Sequence, residues 1–218
     1  MKTITINGVG KVAIKPDLIV ISMNLKTLDK DYDKAMIQES LKIQSLSKEL
    51  EEVGFNKNSL KTTNFNVHTS YENVRDEMGR YKNVFIGYEC IHNLKIEFDL
   101  DIKRLAKVLA IISQSTSKPE VSIAFSLKDP TIINKKLLNQ ITKNAFEKAE
   151  ILCAASNVKL GELVSINYSW EKMNLLSNTS YQMETQCMMK SVNEPVNIDM
   201  EPDDICITDT ATFIWEII

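Results

Sequence analysis

The sequence is short of the groups on which most enzyme chemistry depends. Its 218 residues include two histidines, His68 and His92, and four cysteines, Cys90, Cys153, Cys187 and Cys206. The cysteines lie far apart, with no C-x-x-C pair and no His/Cys spacing suited to zinc, so no metal site is expected. No stretch of about 18 consecutive apolar residues occurs, and a membrane span is therefore not expected. Behind Lys2 there is neither a long apolar run nor a small-residue cleavage site, which makes the cytoplasm the expected location. The formal charge is −3, and no dense basic stripe interleaved with aromatics stands out. The electrostatic footprint of a nucleic-acid binder is missing, and nucleic acid is not an expected partner.

What is present is an ordinary globular composition, 44% hydrophobic and 25% charged, with ample material for a core. The first thirty residues are the most informative. Gly8-Val9-Gly10-Lys11-Val12-Ala13 matches G-x-G-x-x-[GA], the turn that seats a pyrophosphate at a helix N-terminus. That chemistry needs a helix to open at the third small residue. Here Ile4, Ile6, Gly8, Gly10, Val12 and Ile14 share one parity, the period of a half-buried strand running through the glycines. Gly8 and Gly10 therefore read as a bulge or a close backbone approach. Pro16-Asp17 ends this strand, and Ile19, Ile21, Met23 and Leu25 repeat the alternation, so the unit reads as a β-ribbon with a Pro-Asp turn.

Asp29 or Asp31 caps a helix running to Val53, with Gly54 as its C′ residue and Phe55 folding back. Two strands follow, Phe65 to Tyr71 and Val84 to Phe98, forming a hairpin around a charged tip. Asp99 or Asp101 then caps a second helix carrying Leu105, Val108, Leu109 and Ile112, and Val121 to Leu127 form a strand. Asp129-Pro130 opens a third helix whose seam is rich in alanine at 145, 149, 154 and 155. Two more strands are expected, after Gly161 through Trp170 and from Ile205 to Ile217. The expectation is an α+β fold of antiparallel strands, in the order β-β-α-β-β-α-β-α-β-β with helices packed on the sheet, in a single domain over residues 1–218. Residues from about 173 to 203 show no sustained periodicity and read as a long flexible loop.

Chain length argues for assembly. At about 3.3 Å per residue the pattern from Val84 to Phe98 would extend close to 50 Å, against a diameter of roughly 45 Å for a compact domain of this size. Either it bends at a bulge at Gly87, or its first half projects as a two-stranded ribbon that wants a partner. A homo-oligomer is the expected state, with a further protein partner unidentified.

The sequence resembles the SIMPL-domain family. The resemblance rests on Gly8-x-Gly10, Pro16-Asp17, the helix end Val53-Gly54-Phe55, Tyr71 before the variable tip, Gly87-Tyr88, the alanine-bearing helix, and Leu160-Gly161-Glu162-Leu163-Val164, in that order along nearly the whole chain. It implies an α+β fold with antiparallel strands backed by helices and a tendency to self-assemble. Many members look like exported envelope proteins, some are associated with oxidative stress, and a mammalian relative is a signalling adaptor. No catalytic residues come with the family, and, unlike its exported members, this chain is expected to have no leader.

Few residues suggest chemistry. His68 and His92 read as ordinary strand histidines; pairing Tyr71 with Val84 would set His68 near Gly87 and leave the two apart. Cys90, Cys153 and Cys206 read as core or near-core filler. Cys187, Met188 and Met189 form the one candidate redox or interaction cluster; with Met183 they offer soft sulfur that packs on the body or a partner, or that ligates Cu(I). Glu201, Asp203 and Asp204 read as a solvated turn. No catalytic residue and no cofactor is assigned. The expected function is that of a non-enzymatic, self-associating binding or scaffold protein, the alternative being a redox-responsive or lid-gated enzyme using the loop and Cys187.

Overall fold

The computed structural model describes residues 2–75, 79–169, 174–183 and 201–218. Among the described residues there are three helices and eight strands, the strands forming two antiparallel sheets in two compact units, and the chain passes between units more than once. The first unit comprises residues 1–17, 126–178 and 202–218, and the second residues 18–125 and 179–201.

In the first unit, β1 (Thr3–Ile14) lies antiparallel to β8 (Ile205–Ile217), which pairs on its other side with β6 (Leu160–Asn167). Helix α3 (Thr131–Ala155) packs on this sheet through Ile133, Leu137, Ile141, Ala145 and Ala149, spaced four apart so that they share a face. Opposite them stand Ile6, Val12, Ile207, Ala211, Phe213 and Trp215. Asp129 Oδ1 accepts from both the amide and the hydroxyl of Thr131, fixing the entry of the helix. The Tyr168 hydroxyl donates to Asp209 Oδ2 at 2.6 Å, and that bond pushes the phenol up to about 12.

The second unit is a five-stranded sheet in the order β3-β4-β2-β5-β7, made of β2 (Leu18–Asp29), β3 (Lys61–Arg75), β4 (Tyr81–Asp99), β5 (Glu120–Ser126) and the short β7 (Ser180–Met183). Helices α1 (Tyr32–Glu52) and α2 (Ile102–Gln114) cover one face. Ile19, Ile21, Met23 and Leu25 on β2, with Leu94, Ile96 and Phe98 on β4, meet Leu46, Leu50, Leu105, Val108, Leu109 and Ile112 from the helices. Burying each such side chain stabilises the fold by about 1.5–3 kcal/mol. Asp31 caps α1, accepting from the amides of Asp33 and Lys34, and Asp101 caps α2. At the other end of α1, Gly54 sits at φ +84°, and the amides of Gly54 and Phe55 reach back to the carbonyls of Glu51 and Leu50. These are the two bonds of a Schellman stop, open to glycine because φ is positive.

Three expectations change. The strands flanking Pro16-Asp17 are both present but do not pair with each other; β1 joins β8 and β2 joins β4, so there is no β-ribbon there. Asp17 instead hooks the strand exit: its amide donates to the Ser126 carbonyl, and its carboxylate accepts from the Lys128 amide at 2.8 Å. In the β3–β4 hairpin Tyr71 pairs with Phe85 and Ser70 with Gly87, leaving Ile86 as the extra residue of a bulge. The one-residue register change at Tyr71 and the inserted Ile86 together set His68 opposite Glu89, two positions from the expected Gly87. Third, Cys206 is exposed on the outward parity of β8, unlike buried Cys90 and Cys153. In addition, β7 lies within the span read as a loop and pairs with β5 over four residues.

Candidate functional site

The residues singled out by sequence fall in three places. Cys187, Met188 and Met189 lie outside the described residues. Gly8, Gly10, Pro16, Asp17 and Gly161 belong to the first unit, and Gly54, Gly87 and Tyr88 to the second. At Gly8 a Cβ would stand 2.4 Å from the Ile141 carbonyl oxygen, and at Gly10 one would stand 2.8 Å from Ile141 Cγ1 and 2.9 Å from the Leu137 carbonyl oxygen. These two positions let the backbone of α3 descend onto β1. Nothing about them faces a phosphate: no helix opens after Ala13, since β1 continues to Ile14.

With the helix that close, its side chains reach the free edge of β1. Asn144 Oδ1 accepts from the Val9 amide and Gln140 Oε1 from the Lys11 amide, each at 3.0 Å, while Lys148 Nζ donates to the Asn7 carbonyl. Gln140, Asn144 and Lys148 are four residues apart, one turn each.

The β3 edge is built differently. It ends the sheet order and is mostly exposed, with β4 its pairing partner on the inner side. Beyond Tyr88, where β2 stops, β4 continues to Tyr81 paired with β3 as a two-stranded ribbon. Gly87, at φ +153°, lets the Asp29 carbonyl approach to where a Cβ would be 2.5 Å away. Tyr71 packs edge-on against Phe85, Phe85 against Tyr88, and Tyr88 against Tyr32 of α1, an aromatic row with ring centroids 5.5–5.7 Å apart.

Beneath the ribbon's base lies a polar cluster in the core. Glu39, on the inner face of α1, accepts from Thr27 Oγ1 at 2.6 Å through Oε2. Its other oxygen faces His92 Nδ1 at 3.6 Å, too far for a hydrogen bond, and neither atom has another partner. His92 Nε2 meets the Thr62 hydroxyl at 2.8 Å, and the Phe65 ring covers the imidazole edge-on at 4.9 Å. Glu39 is 1% exposed and His92 8%. Burial pushes the His92 pKa below its ordinary value, with Glu39 opposing, so the imidazole is neutral at pH 7. Cys90, on the same face of β4, donates to Met36 Sδ, and burial followed by the Glu39 charge pushes its thiol up. A protonated buried thiol is a poor nucleophile.

The hydroxyl, imidazole and carboxylate follow one another as in a hydrolytic relay, but the imidazole–carboxylate link is open and the imidazole faces the packed interior. The arrangement can fasten α1 to β2 and β4; it does not present a nucleophile. Among the described residues no three His, Cys, Asp or Glu side chains are placed to hold a metal ion. Glu39 and Thr62 escaped the sequence reading. The available signal was Glu39 four residues after Ala35 on the stripe that continues to Leu46 and Leu50, a carboxylate on an apolar face.

The family model described as SIMPL, protein of unknown function (DUF541), matches residues 4–215, running through both units. No curated protein matches the chain.

Proposed function

The chain belongs to the SIMPL family, and from that premise we propose that it is a non-enzymatic, self-associating scaffold or binding protein whose contacts run through the β3 edge and the β3–β4 ribbon. The observation that supports this reading is the ribbon beyond Tyr88, paired by two strands alone. Isolated two-stranded ribbons are marginal in water. This one also carries Tyr71, Val74, Tyr81, Val84 and Phe85, each 39–72% exposed. Single exposed apolar residues need no explanation, whereas a row of them on one hairpin favours a covered state. The partner in this reading is a second copy, because an open strand edge accepts another by main-chain hydrogen bonds without a dedicated pocket. A role under oxidative stress belongs to the same reading and draws on the family resemblance alone.

Sedimentation velocity at tens of micromolar tests it. The wild type should sediment as an oligomer, and the double variant Tyr71→Lys, Phe85→Lys should shift to a monomer with its circular dichroism unchanged. A strictly monomeric wild type overturns the proposal.

A further inference from the structure

Along the outer edge of β1 the cover from α3 advances in matched steps. Four residues of helix rise about 6 Å and two residues of strand about 6.8 Å, so Lys148, Asn144 and Gln140 meet Asn7, Val9 and Lys11 in turn. The next step sets residue 136 beside Ala13, whose amide points away from β8 as those of Val9 and Lys11 do. There the series breaks. Position 136 is a lysine, which has no acceptor to offer, and no described residue takes the Ala13 amide. At this point a groove of about 420 Å³ opens between strand and helix, a volume within the range of small-molecule sites. It is lined by Lys11 and Ala13 of β1 and by Lys136, Asn139, Gln140 and Lys143 of α3, with no carboxylate. Gln140 engages its oxygen with the Lys11 amide, which leaves its Nε2 protons for the groove.

We infer that this groove binds a small phosphate-bearing anion of two or more negative charges. Among the described residues none of its three lysines has a carboxylate within ion-pair distance, whereas Lys135, outside the lining, stands near Asp129. The charge is segregated in the sequence as well: residues 1–16 and 130–146, which build the groove, hold six lysines and no Asp or Glu, in a chain whose formal charge is −3. A single carboxylate would leave most of that positive charge unanswered. A phosphate ester or diphosphate answers it, because lysine binds phosphate as a point charge and the remaining phosphate oxygens accept from the Ala13, Asn139 and Gln140 N–H groups. No aromatic ring lines the groove to stack a base, so recognition is of the phosphate and not of a nucleobase. A lysine on an edge strand also repels other strands; that purpose needs one charge at the edge and not three around a cavity.

Calorimetry and amide NMR on the full chain with pyrophosphate as the probe test the inference, with flotation on phosphatidic-acid vesicles as the arm for a lipid source of the same group. Pyrophosphate should bind one to one, shift the Ala13 amide and bind more weakly as salt is added. The double variant Lys136→Gln, Lys143→Gln should weaken binding about tenfold or more. Lys103→Gln with Lys107→Gln, on α2 in the other unit, removes the same charge and should leave it unchanged. Lys136→Gln alone supplies the missing acceptor, so without any ligand the Ala13 amide should exchange more slowly. No heat or shift at millimolar pyrophosphate overturns the inference, as do an equal loss in the α2 variant, unchanged exchange at Ala13, or vesicle binding with none of the free ion.

Discussion

Two edge strands, one in each unit, are finished in opposite ways. At β1 the outward amides of Val9 and Lys11 and the carbonyl of Asn7 are taken by Asn144, Gln140 and Lys148 of α3. At β3 no such cover comes from the described residues, and the edge extends into a ribbon bearing exposed aromatics. An uncovered edge invites another strand, and proteins blunt it where pairing is unwanted. The contrast teaches that closing an edge takes several residues acting as one device. The amides of α3 reach β1 because the helix lies close, and it lies close because Gly8 and Gly10 have no side chains. Neither the glycines nor the amides have a purpose alone.

The comparison breaks most sharply at the glycines. Gly8→Ala places a methyl 2.4 Å from a helix carbonyl, and the overpacking should cost about 2–3 kcal/mol in urea unfolding. The Val9 and Lys11 amides should then lose hydrogen-exchange protection. Unchanged stability and protection would mean that the helix has slack and that the edge closure does not depend on its approach.

Next in size is the cluster under the open edge. Glu39→Ala leaves Thr27 and His92 buried without the carboxylate and should cost about 1–3 kcal/mol. Stability should also depend on pH through His92. Its folded pKa lies below the ordinary value, so the unfolded chain binds more protons. The contribution is therefore complete above about pH 6.5 and is lost as pH falls below it. His92→Gln should flatten that part of the stability–pH curve; a curve of the same shape in the variant assigns the dependence elsewhere.

A smaller effect sharpens the contrast at single-bond level. Asn144→Ala removes one acceptor from the β1 edge and should cost about 1 kcal/mol, with faster exchange at Val9 and little change at Lys11. Smallest of all, thiol labelling of the native protein should modify Cys206 readily and leave Cys90 and Cys153 untouched until the fold opens. Equal rates at the three would contradict their different burial.

Local features were legible in the sequence wherever a short-range rule governs them. The Asp31 cap, the Gly54-Phe55 stop and the alternation of β1, β2 and β8 depend on neighbours a few residues away. Partnership was not legible, because a period of two says which face is buried and not which strand lies alongside; hence β1 and β2 looked like a ribbon although each pairs elsewhere. The hairpin register went astray by two positions, one because Tyr71 pairs with Phe85 and not Val84 and one from the extra Ile86 beside Gly87, and neither shift has a sequence signal. Cys206 looked like core because its strand is apolar, yet it occupies the outward parity between Ile205 and Ile207. The Glu39–His92 pair joins a helix and a strand 53 positions apart, and a long-range polar contact of that kind leaves only the anomaly of a charge on an apolar stripe.

The pairing of Thr3 with Glu216 also orders events during synthesis. A ribosome makes β1 well before its neighbour β8, so β1 must wait while residues 15–204 are made with its inner edge unmatched, although α3 can seat on it earlier. Closing so long a loop is slow, and an unmatched strand is the form most open to mistaken association. The side-chain cover on the outer edge of β1 therefore acts as a guard during birth as well as a finish on the mature protein.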